Sequence, residues 1–299
     1  MRLRRSELST PASNEHMIEN AAASNADLVF LDLEDSVAPS EKVGARGKAI
    51  NALQTLDFGK KTRAVRINDL ETEYAYQDII SIVEEAGEYL DILIIPKVKS
   101  AKDVWWVDVL LTQIEKRFHR KTRIGIEVLI EEVEALQNVE RISRSSPRLE
   151  AIIFGPYDYA ASQGVDTRAI EGESELYPGD IWQYARNKIV IAARAAGIDA
   201  IDGPYIDFKN IEGYRRECGR IHTLGFSGKW AIHPSQIATA NEVFTPTQVE
   251  VDEARTLELL YIDAQEKGLG AIAYGGKMID VALIRNARNI IQKADLIGM

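Results

Sequence analysis

Apolar and polar positions alternate along this chain on two different periods. Eight short apolar runs, at residues 6–10, 27–35, 62–68, 91–98, 123–131, 149–158, 199–206 and 228–234, read as strands. Between them, segments such as 40–53, 73–86, 104–117, 132–142, 181–196 and 210–224 repeat their apolar residues on the helical period. Strands alternating with helices imply a parallel sheet, and eight such units imply an α/β fold closed into a TIM (β/α)8 barrel. The first strand is the weakest, because Glu7, Ser9 and Thr10 make it polar. Residues 162–180, SQGVDTRAIEGESELYPGD, break the rhythm and read as a long loop after the sixth strand. The chain beyond the eighth strand exceeds what a final barrel helix needs. It reads as a helix over 249–266 ended by Gly268, a hairpin in GAIAYGGKMID turning at Gly275–Gly276, and a last helix over 281–293. The expected organisation is therefore a barrel domain over 1–240 and an appended C-terminal helical and hairpin lid region over 241–299.

Composition narrows the function classes. With 45% hydrophobic and 27% charged residues, the 299-residue chain is an ordinary globular protein. No apolar run is long enough to span a bilayer, and the basic start MRLRRSELST lacks the apolar centre of a secretory signal. A cytoplasmic location and no membrane partner are expected. A net charge of −10 argues against nucleic-acid binding. The single cysteine, Cys218, excludes an internal disulfide and reads as a free thiol on a helix.

Barrels of this kind carry their chemistry at the C-terminal ends of the strands. Asp32, Glu34 and Asp35 end the second apolar run, Glu131 the fifth and Asp158 the sixth, so all fall on one rim. Carboxylates crowded there repel one another unless protonated, paired with cations or holding a metal. Only four histidines are present, and an oxygen-rich, nitrogen-poor site suits Mg²⁺. The competing reading is that these acids are helix N-caps at βα junctions. Arg66, in RAVRIN at the end of the third strand, can clamp a substrate carboxylate or serve as a structural partner for a rim acid. Lys97, in LIIPKV, can form a Schiff base or an ion pair. His233, in WAIHPSQI, lies where barrels often bind phosphate, or is a satisfied strand-end histidine.

Taken in order, RSELSTPASN, FLDLEDSVAPSEK with Ala45–Arg46, RIN, PKV, EVLIE, FGPYDYAAS, AIDGPY, GFSGKWAIHPSQI, ANEVFTP and GKMID resemble the citrate lyase β-subunit-like (HpcH/HpaI aldolase/citrate lyase) family. FLDLEDSVAP, GKWAIHPSQIATANEVFTP and EVLIE look most like its malyl-CoA lyase branch. The resemblance implies a Mg²⁺-dependent barrel, with Mn²⁺ as a substitute, that cleaves a β-hydroxyacyl-CoA reversibly. Malyl-CoA or 3-methylmalyl-CoA would give acetyl-CoA or propionyl-CoA and glyoxylate. Citramalyl-CoA lyase activity yielding pyruvate, a malyl-CoA thioesterase, and a citrate lyase β subunit within a complex are the alternatives. By motif, Glu131 and Asp158 fall on the metal ligands, Arg66 on the arginine that holds the keto acid, and Glu34 and Asp35 on the acidic pair beside the metal. Asp280 falls on an aspartate that a neighbouring subunit delivers as the base, which implies a homo-oligomer, a trimer or hexamer. Lys97 falls on a lysine common in metal-using members, and Lys42 and Arg46 are weak candidates for CoA phosphate contacts. Where the family continues the metal glutamate with Thr and then Gly, this chain has Glu132 and Ala135, so extra acids should lie on the following helix.

Overall fold

All eight apolar runs become strands, and the computed structural model describes them within residues 2–166 and 179–299. They are β1 (Ser6–Pro11), β2 (Leu28–Asp32), β3 (Thr62–Arg66), β4 (Ile92–Ile95), β5 (Gly125–Ile130), β6 (Leu149–Phe154), β7 (Asp199–Asp202) and β8 (Gly228–Ala231). Each pairs in parallel with its successor, and β8 returns to β1 through Ser6↔Lys229, Glu7↔Trp230 and Leu8↔Ala231, closing the barrel. Around it lie α1 (Glu15–Ala22), α2 (Lys42–Thr55), α3 (Ala75–Ala86), α4 (Ala101–Arg117), α5 (Val133–Ile142), α6 (Pro156–Gln163), α7 (Gln183–Ala196), α8 (Ile211–Leu224) and α9 (Ile237–Phe244). Of the stretch 162–180 expected as one long loop, Ser162 and Gln163 end α6, and 167–178 lie outside the described residues.

Several strands stop earlier than the apolar pattern implies, and the reasons are local. Asp32 turns its carboxylate back onto the N–H groups of Glu34 (2.9 Å) and Ser36 (3.1 Å), drawing the chain out of the ladder. Glu34 and Asp35 therefore sit on a turn beyond β2. Pro156 at the first position of α6 stops β6 at Phe154, because proline has no N–H and its φ suits a helix start. Asp158 is thus in the first turn of a helix, not at a strand end.

The barrel lumen is apolar along most of its length, with Leu28, Phe30, Ile92, Ile94, Leu129, Ile153, Ile201 and Trp230 in one buried cluster. Its N-terminal end is charged. Arg4 donates to Glu127 (2.7 Å), Glu150 (2.6 Å) and Asp199 (3.3 Å), tying the starts of β5, β6 and β7 to the segment that enters β1. No helix among the described residues is long and apolar enough to cross a membrane.

The chain divides into two units, Arg4–Asn241 and Met1–Leu3 with Glu242–Met299. The second unit is a helical pair, α10 (Gln248–Glu266) and α11 (Val281–Ile297), with a hairpin of β9 (Ile272–Tyr274) and β10 (Lys277–Ile279) between them. Gly275 and Gly276 both have positive φ, 54° and 73°, the pair of left-handed positions that a two-residue hairpin turn demands. Tyr261, Ile279 and Ile284 form its core, with Leu257, Ile272 and Tyr274 packed against them. Thr247 and Glu250 make a capping box at the start of α10.

Barrel closure depends on a glycine. A Cβ at Gly228 would lie 1.7 Å from the carbonyl oxygen of Arg4, a backbone atom that cannot move aside without parting β8 from β1. Gly228→Ala should destabilise the protein by about 2–4 kcal/mol, an overpacking penalty at the upper end of the usual range. Gly219→Ala, in α8, adds a methyl that would meet nothing within 4 Å and should stabilise the protein slightly. Thermal unfolding of the two variants should give shifts of opposite sign.

Candidate active site

The C-terminal ends of the strands surround a cavity of about 330 Å³. Ser9, Asp32, Asp35, Arg66, Leu129, Glu131, Tyr157, Asp158 and Trp230 are among its walls. Of the residues singled out in the sequence, Asp35, Arg66, Glu131 and Asp158 line this one cavity, and Glu34 is joined to it through its ion pair with Arg66.

Arg66 leaves the end of β3 and meets Asp32 at the end of β2, its register partner, through two parallel hydrogen bonds: Nε to Oδ1 at 2.6 Å and Nη2 to Oδ2 at 2.7 Å. Its remaining nitrogen, Nη1, lies 2.9 Å from Glu34 Oε2. One edge of the fork expected to clamp a substrate is thus taken by the protein, and the structural-partner reading of Arg66 is realised alongside its place in the cavity wall. The Trp230 ring lies beneath the guanidinium, 5.5 Å from its carbon. Burial raises the Asp32 carboxyl, but the charge and hydrogen bonds of Arg66 outweigh it and hold Asp32 below its usual range.

Lys97 has φ +48°, a left-handed conformation that lysine rarely adopts. That turn aims its backbone N–H at Glu131 Oε1 (2.7 Å) while its ammonium reaches Glu34 Oε1 (2.5 Å) and Asp35 (3.2 Å). Burial works against the ammonium, but Glu34 and then Asp35 prevail and raise its pKa. A lysine held protonated in this way is no Schiff-base nucleophile, which needs a lowered pKa.

Glu131 follows β5 directly and is fully buried, with Lys97 N–H as its only hydrogen-bond donor among the described residues. Its other oxygen, Oε2, faces Gly155, where a Cβ would come within 2.7 Å of it. Burial, then the charges of Glu34 and Asp158, push Glu131 up to about 8. Burial also raises Glu34 and Asp158. Asp158 makes no side-chain hydrogen bond or ion pair among the described residues. Two carboxylates with unengaged oxygens, elevated pKa values and one shared cavity fit a hard divalent cation with water and substrate completing its shell.

Other candidates sit differently. Lys42 places its ammonium on the carbonyls of Leu33 and Glu34 (3.0 Å each) and on Asn68 Oδ1 (2.5 Å). Arg46 is buried against Asp78 at 2.7 Å. Both cations are engaged inside the fold, so neither stands free for a CoA phosphate: they brace the acidic turn. Asp78 completes that brace by accepting from Asn68 N (3.1 Å) and Nδ2 (2.7 Å). Glu132 stands at the N-cap of α5, bonded to Ser162 Oγ at 2.8 Å, whereas Glu134 is on the helix. His233 is satisfied by Ser235 Oγ (2.8 Å) and stacked on Phe208. Cys218 is buried and its thiol pushed up to about 12, chiefly by desolvation, so it is no nucleophile. Asp280 caps α11, Oδ1 accepting from Ala282 (3.0 Å) and Leu283 (3.3 Å). The sequence reading offered Arg66 a rim acid as an alternative partner without singling out Asp32, and it overlooked Gly155 as the space beside Glu131.

The HpcH/HpaI aldolase/citrate lyase family matches residues 5–234 of this chain, a span that takes in every one of these rim residues. An L-malyl-CoA/beta-methylmalyl-CoA lyase of Cereibacter sphaeroides is 44% identical over 98% of this chain and 95% of its own. The citrate lyase subunit beta of Leuconostoc mesenteroides subsp. cremoris is 35% identical over 98% and 94%. The crystal structure of protein CitE from Mycobacterium tuberculosis, in complex with magnesium, acetoacetate and coenzyme A, superposes with a TM-score of 0.74 at 26% identity, covering 97% of both chains.

The elevated Glu131 makes a prediction about stability without added metal. A carboxyl raised from 4.5 to about 8 holds its proton more tightly folded than unfolded, so its contribution is complete below pH 4.5 and is lost as pH rises through 8. Thermal unfolding in excess chelator should show stability falling over that window, by at most roughly 1.4 kcal/mol per pH unit from this group. Glu131→Gln should flatten the slope; an unchanged slope would mean that Glu131 titrates normally.

Proposed function

Because the chain belongs to the HpcH/HpaI aldolase/citrate lyase family, we propose that it is a Mg²⁺-dependent CoA-thioester lyase that reversibly cleaves malyl-CoA or 3-methylmalyl-CoA. The products are acetyl-CoA or propionyl-CoA and glyoxylate. The observation that carries this reading is the carboxylate pair Glu131 and Asp158, each with at least one oxygen unengaged among the described residues, on the same cavity as Arg66. Glu131 and Asp158 would hold Mg²⁺, which when bound supplies Lewis-acid polarisation of the keto-acid carbonyl.

The protein's own groups do the rest. Asp32 holds the Arg66 guanidinium in a fixed plane, so that Nη1 can exchange Glu34 for the carboxylate of glyoxylate. The same guanidinium stabilises the oxyanion that develops as the carbon–carbon bond forms. Lys97 neutralises Glu34 and Asp35, which keeps the rim from repelling an anionic substrate. In the condensing direction Asp280 of a neighbouring chain removes the α-proton of acetyl-CoA, and the enolate carbon attacks the aldehyde carbon of glyoxylate. The helix cap uses only Oδ1 of Asp280, leaving Oδ2 as the proton acceptor. Cleavage runs the same steps backwards. The protein works as a homo-oligomer, a trimer or hexamer, in the cytoplasm.

Chelation should abolish cleavage and Mg²⁺ or Mn²⁺ should restore it, and Asp158→Asn should weaken metal binding while the fold persists. A panel of CoA thioesters with glyoxylate or pyruvate, resolved by mass spectrometry, assigns the acyl group. CoA thiol released before any keto acid would instead identify a thioesterase, and inactivity on every free CoA thioester would identify a subunit of a larger complex.

Asp280→Asn and Arg66→Ala should each be nearly inactive. After dissociation, mixing and reassociation they should regain part of the activity, since some sites then combine an intact rim with an intact Asp280. A mixture no more active than its parents, with subunit exchange demonstrated, would place the function of Asp280 in its own chain.

A further inference from the structure

The polar first strand is not accounted for by the cavity rim. Glu7 faces the barrel lumen from β1 and is fully buried, between the apolar lumen and the charged end formed by Arg4, Glu127 and Asp199. Its Oε2 accepts the indole N–H of Trp230, its register partner on β8, at 2.9 Å. Its Oε1 has no hydrogen-bond partner, and neither does Oε2 of the equally buried Glu127. A leucine here would avoid burying that unpaired oxygen, so the carboxyl group costs stability where it stands. What it secures is the orientation of one ring. Trp230 forms part of the cavity wall, lies 4.5 Å from Phe30, and carries the Arg66 guanidinium 5.5 Å above its face.

We propose that Glu7 is a positioning residue: it fixes the indole plane of Trp230 from below and thereby sets the direction in which Arg66 presents Nη1 to the keto acid. Asp32 holds the guanidinium by its edge, and Trp230 supports its face, so the two together leave it one orientation. This rests on the lyase reading above, and it adds a residue outside the cavity to the machinery that selects the substrate carboxylate. Burial, followed by the charge of Glu127, raises Glu7 well above the usual carboxylate range against the opposing charge of Arg4. Glutamine, which is neutral and keeps an acceptor oxygen at the same reach, should replace it; leucine should not.

The test uses the Mg²⁺-loaded full chain. Glu7→Leu should raise the keto-acid KM about tenfold while the acyl-CoA KM stays within about twofold, and Glu7→Gln should leave both within about twofold. Trp230→Phe removes the indole N–H together with part of the ring beneath Arg66, so it should raise the keto-acid KM at least as much as Glu7→Leu while sparing the acyl-CoA KM, which covers the case in which Glu7→Leu fails to fold. Adding Glu7→Leu to Trp230→Phe should cost nothing further. Independently of turnover, the Trp230 indole N–H, observed by ¹⁵N NMR, should resist hydrogen exchange in the native protein and in Glu7→Gln and exchange freely in Glu7→Leu. Native protein that turns over no acyl-CoA thioester would overturn the lyase reading. An active native protein with unchanged keto-acid kinetics in Glu7→Leu and Trp230→Phe, equal losses in Glu7→Gln and Glu7→Leu, or additive effects in the double mutant would overturn the role of Glu7.

Discussion

The Asp32–Arg66 pair is the joint from which the rim is built. Asp32 spends its two oxygens four ways, on two guanidinium nitrogens and on the backbone N–H groups of Glu34 and Ser36. One buried carboxylate thus ends a strand, shapes the acidic turn and orients the arginine of the next strand. A buried charge is costly unless every lone pair is used, and here the ladder of the parallel sheet brings the two partners level so that they are. Lys42, held by Asn68 and in turn by Asp78, closes the turn from the other side by binding the carbonyls of Leu33 and Glu34.

Around that joint the carboxylates outnumber the cations. Arg66 and Lys97 between them face Asp32, Glu34, Asp35, Glu131 and Asp158, and the two cations are spent on the first three. Glu131 and Asp158 remain, and burial raises both. The left-handed backbone of Lys97 is part of the same arrangement: in that conformation one residue gives its N–H to Glu131 and its ammonium to the opposite acids. Strain of this kind, of order 1–3 kcal/mol, persists where the surrounding contacts over-determine it.

Charge is handled differently beneath β7 and β8. Lys229 is fully buried with Asp202 (2.5 Å), Glu217 (2.7 Å) and the carbonyl of Gly203 (2.8 Å), and Arg186 joins Asp202 and Asp180. Among the described residues each of these cations is matched by carboxylates. The contrast with the rim is what distinguishes a structural charge cluster from a site, since both consist of the same residue types.

The architecture was legible in the sequence because its causes are local. Strand and helix periods lie within a few residues of one another, as do the glycine pair at 275–276 and the proline that starts α6, so eight strands and the terminal hairpin could be counted directly. The acids of LDLED and EVLIE fell on one rim for the same reason: parallel strands all end on the same side. Which partner each charge takes was decided only by the tertiary structure. Nothing near Arg66 in sequence marks Asp32, thirty-four positions away, as the holder of its fork, and the lysine and arginine of α2 looked free until the barrel closed around them. The polar first strand looked merely weak; its glutamate acquired meaning when closure set Glu7 beside Trp230, 223 residues further on. Periodicity is a property of neighbouring residues, whereas the protonation and pairing of a buried side chain depend on whatever the fold brings within a few ångströms of it.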